Sequence, residues 1–164
     1  DRIRSGAVVA AGADALEALR IAAWRPRFGR EVDARSIPHE LDWLRSAVHL
    51  DKGCYRGQET VARVHNLGRP PRRLVLLHLD GSADARPATG DPVTLDGRTV
   101  GRLGTVVEHA DYCPIALALI KRSIPDDAKL DAGGAAAAID TDVTPSADAG
   151  EQAGRSAVDR LRGR

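Results

Sequence analysis

The residues best equipped for chemistry lie together in Lys52-Gly53-Cys54-Tyr55-Arg56-Gly57-Gln58-Glu59, a thiol set between two cations in a turn hinged by glycines. A solvent-reachable cysteine in that setting has its thiolate favoured, because the Lys52 and Arg56 charges stabilise the anion over the neutral form. The opposing reading makes Cys54 a small buried hydrophobe, the usual state of a free cysteine. Flanking glycines argue for a turn, and turns lie at surfaces. Tyr55 reads equally as core or as an aromatic wall for a flat ring. Gly57 serves the backbone where a Cβ would intrude. Gln58 and Glu59 open the following helix, where a carboxylate interacts well with exposed backbone N–H groups.

The octet resembles the Lys-Gly-Cys-Tyr/Phe-x-Gly-Gln-Glu signature of the YgfZ-type folate-binding proteins, relatives of the glycine-cleavage aminomethyltransferases (T-proteins). It is similar, more loosely, to the T-protein pattern Lys-x-Asp-Phe-x-Gly-x-Glu, onto which Lys52, Tyr55, Gly57 and Glu59 fall. Cys54 stands where that pattern has an acid. Upstream, Leu19-Arg20-Ile21-Ala22-Ala23-Trp24 corresponds to a Leu-Arg-x-Glu-Ala-Gly stretch. Arg20 is kept, the glutamate is Ala22 and the glycine is Trp24. A methyl group cannot accept a hydrogen bond from a pterin, so the transferase site looks dismantled on that side.

The resemblance implies a tetrahydrofolate cofactor, or a one-carbon derivative of it, and a role in assembling or repairing iron–sulfur clusters in client proteins, including tRNA-modifying enzymes. It implies Cys54 as the key thiol, with Lys52, Arg56 and Glu59 in support, and Arg20, Tyr55, Gly57 and Gln58 bordering the cofactor. Two alternatives stand beside it: a folate-dependent one-carbon (aminomethyl) transferase or demethylase, and a cofactor-free interaction module. Whether the chain is an enzyme stays open, with Ala22 counting against an ordinary aminomethyltransferase.

The elements that must position these residues follow from periodicity. Residues 13–23 read as a helix with Leu16 and Leu19 on one face and Asp14 as N-cap. A second helix opens at Ser36-Ile37-Pro38, burying Leu41 and Leu44 with Trp43 at its edge. Residues 58–65 have helical spacing, stopped by Asn66 and Gly68. Arg69 to Arg73 holds two prolines and reads as an extended linker. Leu74 to Leu79 is a buried strand. Asp96-Gly97 marks a two-residue hairpin turn, and residues 115–120 and 129–130 supply further strand material. Short strands at about ten-residue intervals indicate a small antiparallel barrel.

The expected fold class is therefore α+β: residues 1–72 as the end of a folate-binding domain, 73–144 as a small antiparallel β-barrel, and 145–164 as a mobile tail. Residues 136–144 are expected to add an edge strand, and Ser156 to Leu161 a weak helix.

Composition narrows the classes. Across 164 residues there are 24 Lys and Arg against 23 Asp and Glu, a net charge of +1, so a direct nucleic-acid partner is not expected. Residues 52–73 nevertheless hold Lys52, Arg56, Arg63, Arg69, Arg72 and Arg73 against Glu59 alone, a local positive patch. The two cysteines make no CxxC, so no disulfide scaffold or zinc ribbon is indicated. His49, Cys54 and His65 fit no compact zinc spacing, so no metal is expected. Either histidine could still serve Cys54 as a base, and Cys113 is expected to be buried. No long apolar run or export signal is present, so neither membrane association nor export is expected, and the cytoplasm is the expected location. The absence of methionine suggests a piece of a longer product.

Overall fold

The computed structural model describes residues 2–82 and 84–147. Six strands close into one antiparallel barrel: β1 (Arg72–Leu79), β2 (Pro92–Leu95), β3 (Arg98–His109), β4 (Cys113–Lys121), β5 (Leu130–Ala132) and β6 (Ala135–Ile139). The order around the barrel is β1-β4-β3-β2-β5-β6, with β6 returning to β1. Residues expected as an edge strand therefore close the barrel. Leu77 pairs with Ile139 on one side of β6, and Leu130 pairs with Ala137 on the other. Closure removes the unpaired edges that an open sheet would expose.

The interior is filled by Val75, Leu77, Leu79, Val93, Leu103 and Ile120, with Ala116, Ala118, Ala132 and Ala137 between them. Small side chains are what so narrow a barrel can hold. Asp96 and Gly97 connect β2 to β3 with φ of 49° and 74°, the doubly positive turn expected from their types.

β1 and β4 are buried on both faces, because a helical layer covers their outer side. Leu74, Leu76, Ile115, Leu117 and Leu119 point outward into a second cluster with Ile21 and Leu41, against which Ala22, Trp24 and Trp43 pack. The layer comprises α1 (Ala13–Ala22), a 3-10 turn (Pro38–Leu41), α2 (Leu44–Ala47) and α3 (Gln58–Leu67).

Three local expectations are corrected. In α1 the N-cap is Gly12, with Asp14 in the first turn. The face packed on the barrel is that of Ala18 and Ile21, leaving Leu16 and Leu19 64% and 63% exposed. The second helix is broken: Asp42 takes a left-handed conformation (φ 53°) and separates the 3-10 turn from a single turn of α2. Cys113, expected to be buried, is exposed at the end of the β3–β4 loop with φ 57°.

Among the described residues no helix is long and apolar enough to cross a membrane. The proposed tail helix lies outside the described residues.

Candidate functional site

Gly57 ends the loop that carries the octet and caps α3 in a left-handed conformation, φ 83°. A side chain there would cost about 1 kcal/mol or more. Behind it the loop closes on itself. The Gln58 amide N–H donates to the Tyr55 carbonyl at 3.2 Å, while the Tyr55 N–H reaches the Gln58 side-chain oxygen at 3.4 Å. Gln58 thus holds the Cys54-Tyr55 segment against the start of α3.

Cys54 is exposed. It borders a shallow, solvent-open depression of about 520 Å³, with Tyr55, Gly57, Gln58, Glu59, Thr60 and Ala62. Lys52 sits beside this group, its Nζ 5.3 Å from the centre of the Tyr55 ring, a cation–π distance. Arg56 is exposed and does not line the depression. No histidine lines it either. His49 accepts the Asp51 N–H through Nδ1, and the His65 ring lies near His39.

The positive patch shrinks on folding. Arg72 is paired with Glu40 at 2.7 Å, and the buried Arg73 with Asp126 at 2.6 Å. Lys52, Arg56 and Arg63 remain exposed. Among the described residues no group of three or more His, Cys, Asp or Glu could hold a metal ion.

Arg20 is placed elsewhere, in an ionic cluster that local sequence reasoning did not find. Its Nε and Nη2 donate to Glu17, Nη1 to the Arg25 carbonyl and to Glu31, and Nη2 also to the Thr105 hydroxyl. A guanidinium has five N–H groups. All are engaged within the chain, which leaves none to meet a cofactor in this conformation.

Glu31 is the centre of that cluster, 0% exposed. It accepts the Thr105 amide at 2.7 Å, the Arg27 amide at 2.8 Å and Arg20 at 3.1 Å. Burial by itself would raise its carboxyl. Hydrogen bonds from Thr105, the Arg27 and Thr105 amides and the Arg20 charge outweigh that and hold it below the ordinary carboxylate value. Gly104 makes the room, since a Cβ there would meet the Glu31 Cγ at 2.6 Å and the Leu117 carbonyl at 2.9 Å. A slip in the β3–β4 register between Leu103 and Val106 accompanies this arrangement. The only hint in the sequence is Gly104-Thr105 inside an otherwise bulky strand.

Ala22 and Trp24, the two departures from the transferase pattern, both pack against the outer barrel cluster. Trp24 has φ 51°, a conformation that favours glycine.

Residues 72–148 match the family model of the CAF17 C-terminal β-barrel domain. The chain is 34% identical over 110 residues to the tRNA-modifying protein YgfZ of Aliivibrio fischeri (strain MJ11), covering 62% of this chain and 33% of that protein. It is 35% identical over 135 residues to the aminomethyltransferase of Synechococcus sp. (strain WH7803), covering 76% and 35%. The chain belongs to the YgfZ-type, aminomethyltransferase superfamily. The fold agrees: the glycine cleavage system aminomethyltransferase T from Bartonella henselae superposes with a TM-score of 0.61 at 17% identity, over 73% of this chain and 35% of that one. The chain spans about a third of the length of these superfamily members. What it contributes is the superfamily's C-terminal barrel and the Cys54 segment that leads into it.

Proposed function

We propose that this chain forms part of a tetrahydrofolate-binding protein that assists iron–sulfur cluster assembly or repair in client enzymes, including tRNA-modifying ones, with Cys54 as the working thiol. The observation that carries the reading is the exposed Cys54 at the rim of a depression walled by Tyr55, with Lys52 held over the ring.

The residues present fit one side of a flat heteroaromatic ring. Tyr55 offers a face to stack on. Glu59 offers a carboxylate for ring N–H groups, and Gln58, its oxygen turned to Tyr55, keeps an NH₂ to donate. Tyr55, Gly57, Gln58 and Glu59 would hold the pterin, which when bound supplies a one-carbon carrier beside the thiol. Lys52, over the Tyr55 ring, and the exposed Arg56 bring positive charge to the loop that carries Cys54. Arg20 acts from a distance, by fixing α1 and the Arg25–Glu31 loop on the barrel.

Tetrahydrofolate titration followed by tryptophan fluorescence, with Trp24 and Trp43 as reporters, tests the cofactor. No saturable change would remove it. In the cell, Cys54→Ala should abolish support of iron–sulfur clients while the protein still accumulates. Unchanged client activity would take Cys54 out of the mechanism.

The identity to an aminomethyltransferase favours a second reading, a folate-linked one-carbon transferase or demethylase acting on an amine. Ala22 and the fully engaged Arg20 weigh against it. Formation of methylene-tetrahydrofolate by the purified protein would decide for it. A protein that binds neither folate nor amine yet captures a client would be the interaction module.

A further inference from the structure

Away from the Cys54 depression, a pair of histidines lies in a seam that the proposed function leaves unused. His39 of the 3-10 turn is 8% exposed, and both its ring nitrogens are buried without a hydrogen-bond partner. A neutral imidazole always carries one N–H, so this donor is desolvated with nothing to receive it, at a cost of about 1–3 kcal/mol. A second proton would bury a full charge in the same place.

Facing it from the last turn of α3 is His65, with ring centroids 6.4 Å apart and planes tilted by 45°. Among the described elements α3 meets its neighbours chiefly through this 3-10 turn. The seam therefore sits where the helix that carries the Cys54 segment is held.

The charged groups around His39 offer a proton little compensation. On its own turn is Glu40, but that carboxylate is committed to Arg72 of β1, at 2.7 and 3.0 Å. Beyond β4 lies Arg122, whose charge opposes a cation on His39, and Arg73 of β1 is paired with Asp126. His65 closes the set from α3. Burial first, then His65 and Arg122, hold the His39 ring below the ordinary imidazole value against the pull of Glu40.

We propose that the His39–His65 seam is a proton-sensitive latch: with His39 neutral, α3 stays docked on the 3-10 turn, and mild acid releases α3 together with the Cys54 loop. The proposal concerns how the helix is held and stands whatever the depression binds.

The direction follows from linkage. Undocked, His39 titrates near the ordinary value of about 6.5; docked, it titrates lower. Docking is at full strength above about pH 6.5 and weakens as pH falls toward the lowered value, by up to roughly tenfold for each unit of depression.

Hydrogen exchange on the 164-residue chain at pH 7.5 and pH 5.5, corrected for intrinsic exchange rates, reads this out directly. Protection of the α3 amides should fall by roughly three- to tenfold at the lower pH, while that of the β4 amides stays within about twofold. His39→Phe keeps a ring in the seam but cannot titrate, so its α3 protection should be the same at both values. Should β4 protection show that this variant fails to fold, His39→Gln is read in its place. The latch is overturned by wild-type α3 protection that does not change with pH, or by an undiminished loss in the variant.

Discussion

Glu31→Gln isolates the ionic cluster that fastens the helical layer to the barrel. The native carboxylate serves three donors with two oxygens: Oε1 takes the Thr105 amide at 2.7 Å, and Oε2 takes the Arg27 amide at 2.8 Å and Arg20 at 3.1 Å. Glutamine has the same shape but a single acceptor oxygen. With its oxygen kept toward the Arg27 amide and Arg20, the less costly of its two orientations, the NH₂ faces the Thr105 amide, so one charge-assisted hydrogen bond is lost and one N–H is left buried without an acceptor. Those effects, about 1.5–3 and 1–3 kcal/mol, overlap and together give roughly 3 kcal/mol. For a chain of this size each kcal/mol moves the midpoint by about 2–4 °C, so Tm at pH 7 should fall by roughly 6–12 °C. The pH dependence gives a second readout. A carboxyl whose value is lowered by folding contributes its stabilisation fully above the unfolded value of about 4.5 and loses it as pH falls through the lowered one. Thermal melts followed by circular dichroism should therefore show the gap between native and variant narrowing below about pH 4.5. A variant that melts within 2 °C of the native chain at pH 7, or a gap that stays constant into acid, would refute the assignment of Glu31 as the charged centre of the cluster.

Both thiols are exposed, so a colourimetric disulfide reagent should titrate two cysteines in the native chain at pH 8 without denaturant and one in Cys54→Ala. Slow or partial reaction of either would contradict the exposure described. Gly57→Ala forces a side chain into φ 83° and should destabilise α3 by about 1–2 kcal/mol, seen as lost α3 amide protection with barrel protection intact. Leu16→Ser and Leu19→Ser should each leave the midpoint of urea unfolding within about 0.5 kcal/mol of native, because that face of α1 is solvated. Ile21→Ala, on the opposite face and fully buried, should cost about 2–5 kcal/mol. Equal effects at the three positions would mean that α1 packs the other way round.

What was legible in the sequence was local. The buried strand runs, the Asp96-Gly97 turn and the glycine-hinged octet depend on residues within a few positions of one another, and the structure forms each of them. Barrel closure was less legible, because the strand that closes it is the alanine run 135–138, whose short side chains look too weak to drive burial. It forms because β5 and β1 offer hydrogen bonds on both sides and the narrow interior needs small residues. The wrong face of α1 has a related cause. Leucines at i and i+3 form the stronger apolar stripe, but the barrel wall, already crowded by Leu117 and Leu119, takes the slimmer Ala18–Ile21 face instead. The ionic cluster around Arg20 was not legible because its partners come from α1, from the Arg25–Glu31 loop and from β3, 85 residues away at Thr105. No spacing rule connects such positions.

Among the described residues, those lining the Cys54 depression all lie between positions 54 and 62. A ligand seated there would touch, among the described residues, one contiguous segment. Its affinity would depend on how firmly that segment is held, since a loop that must be ordered on binding subtracts its lost freedom from the contact energy. Three features do the holding: the reciprocal Gln58–Tyr55 hydrogen bonds, the left-handed Gly57, and the docking of α3 on the 3-10 turn. The first two are local and insensitive to neutral or mildly acid pH. The third runs through a buried histidine with no partner for either nitrogen. Ligand affinity should therefore share the pH dependence of α3 protection, and His39→Phe should remove both together. A ligand whose affinity stays flat from pH 7.5 to 5.5 while α3 protection falls would show that the depression keeps its shape without the docked helix.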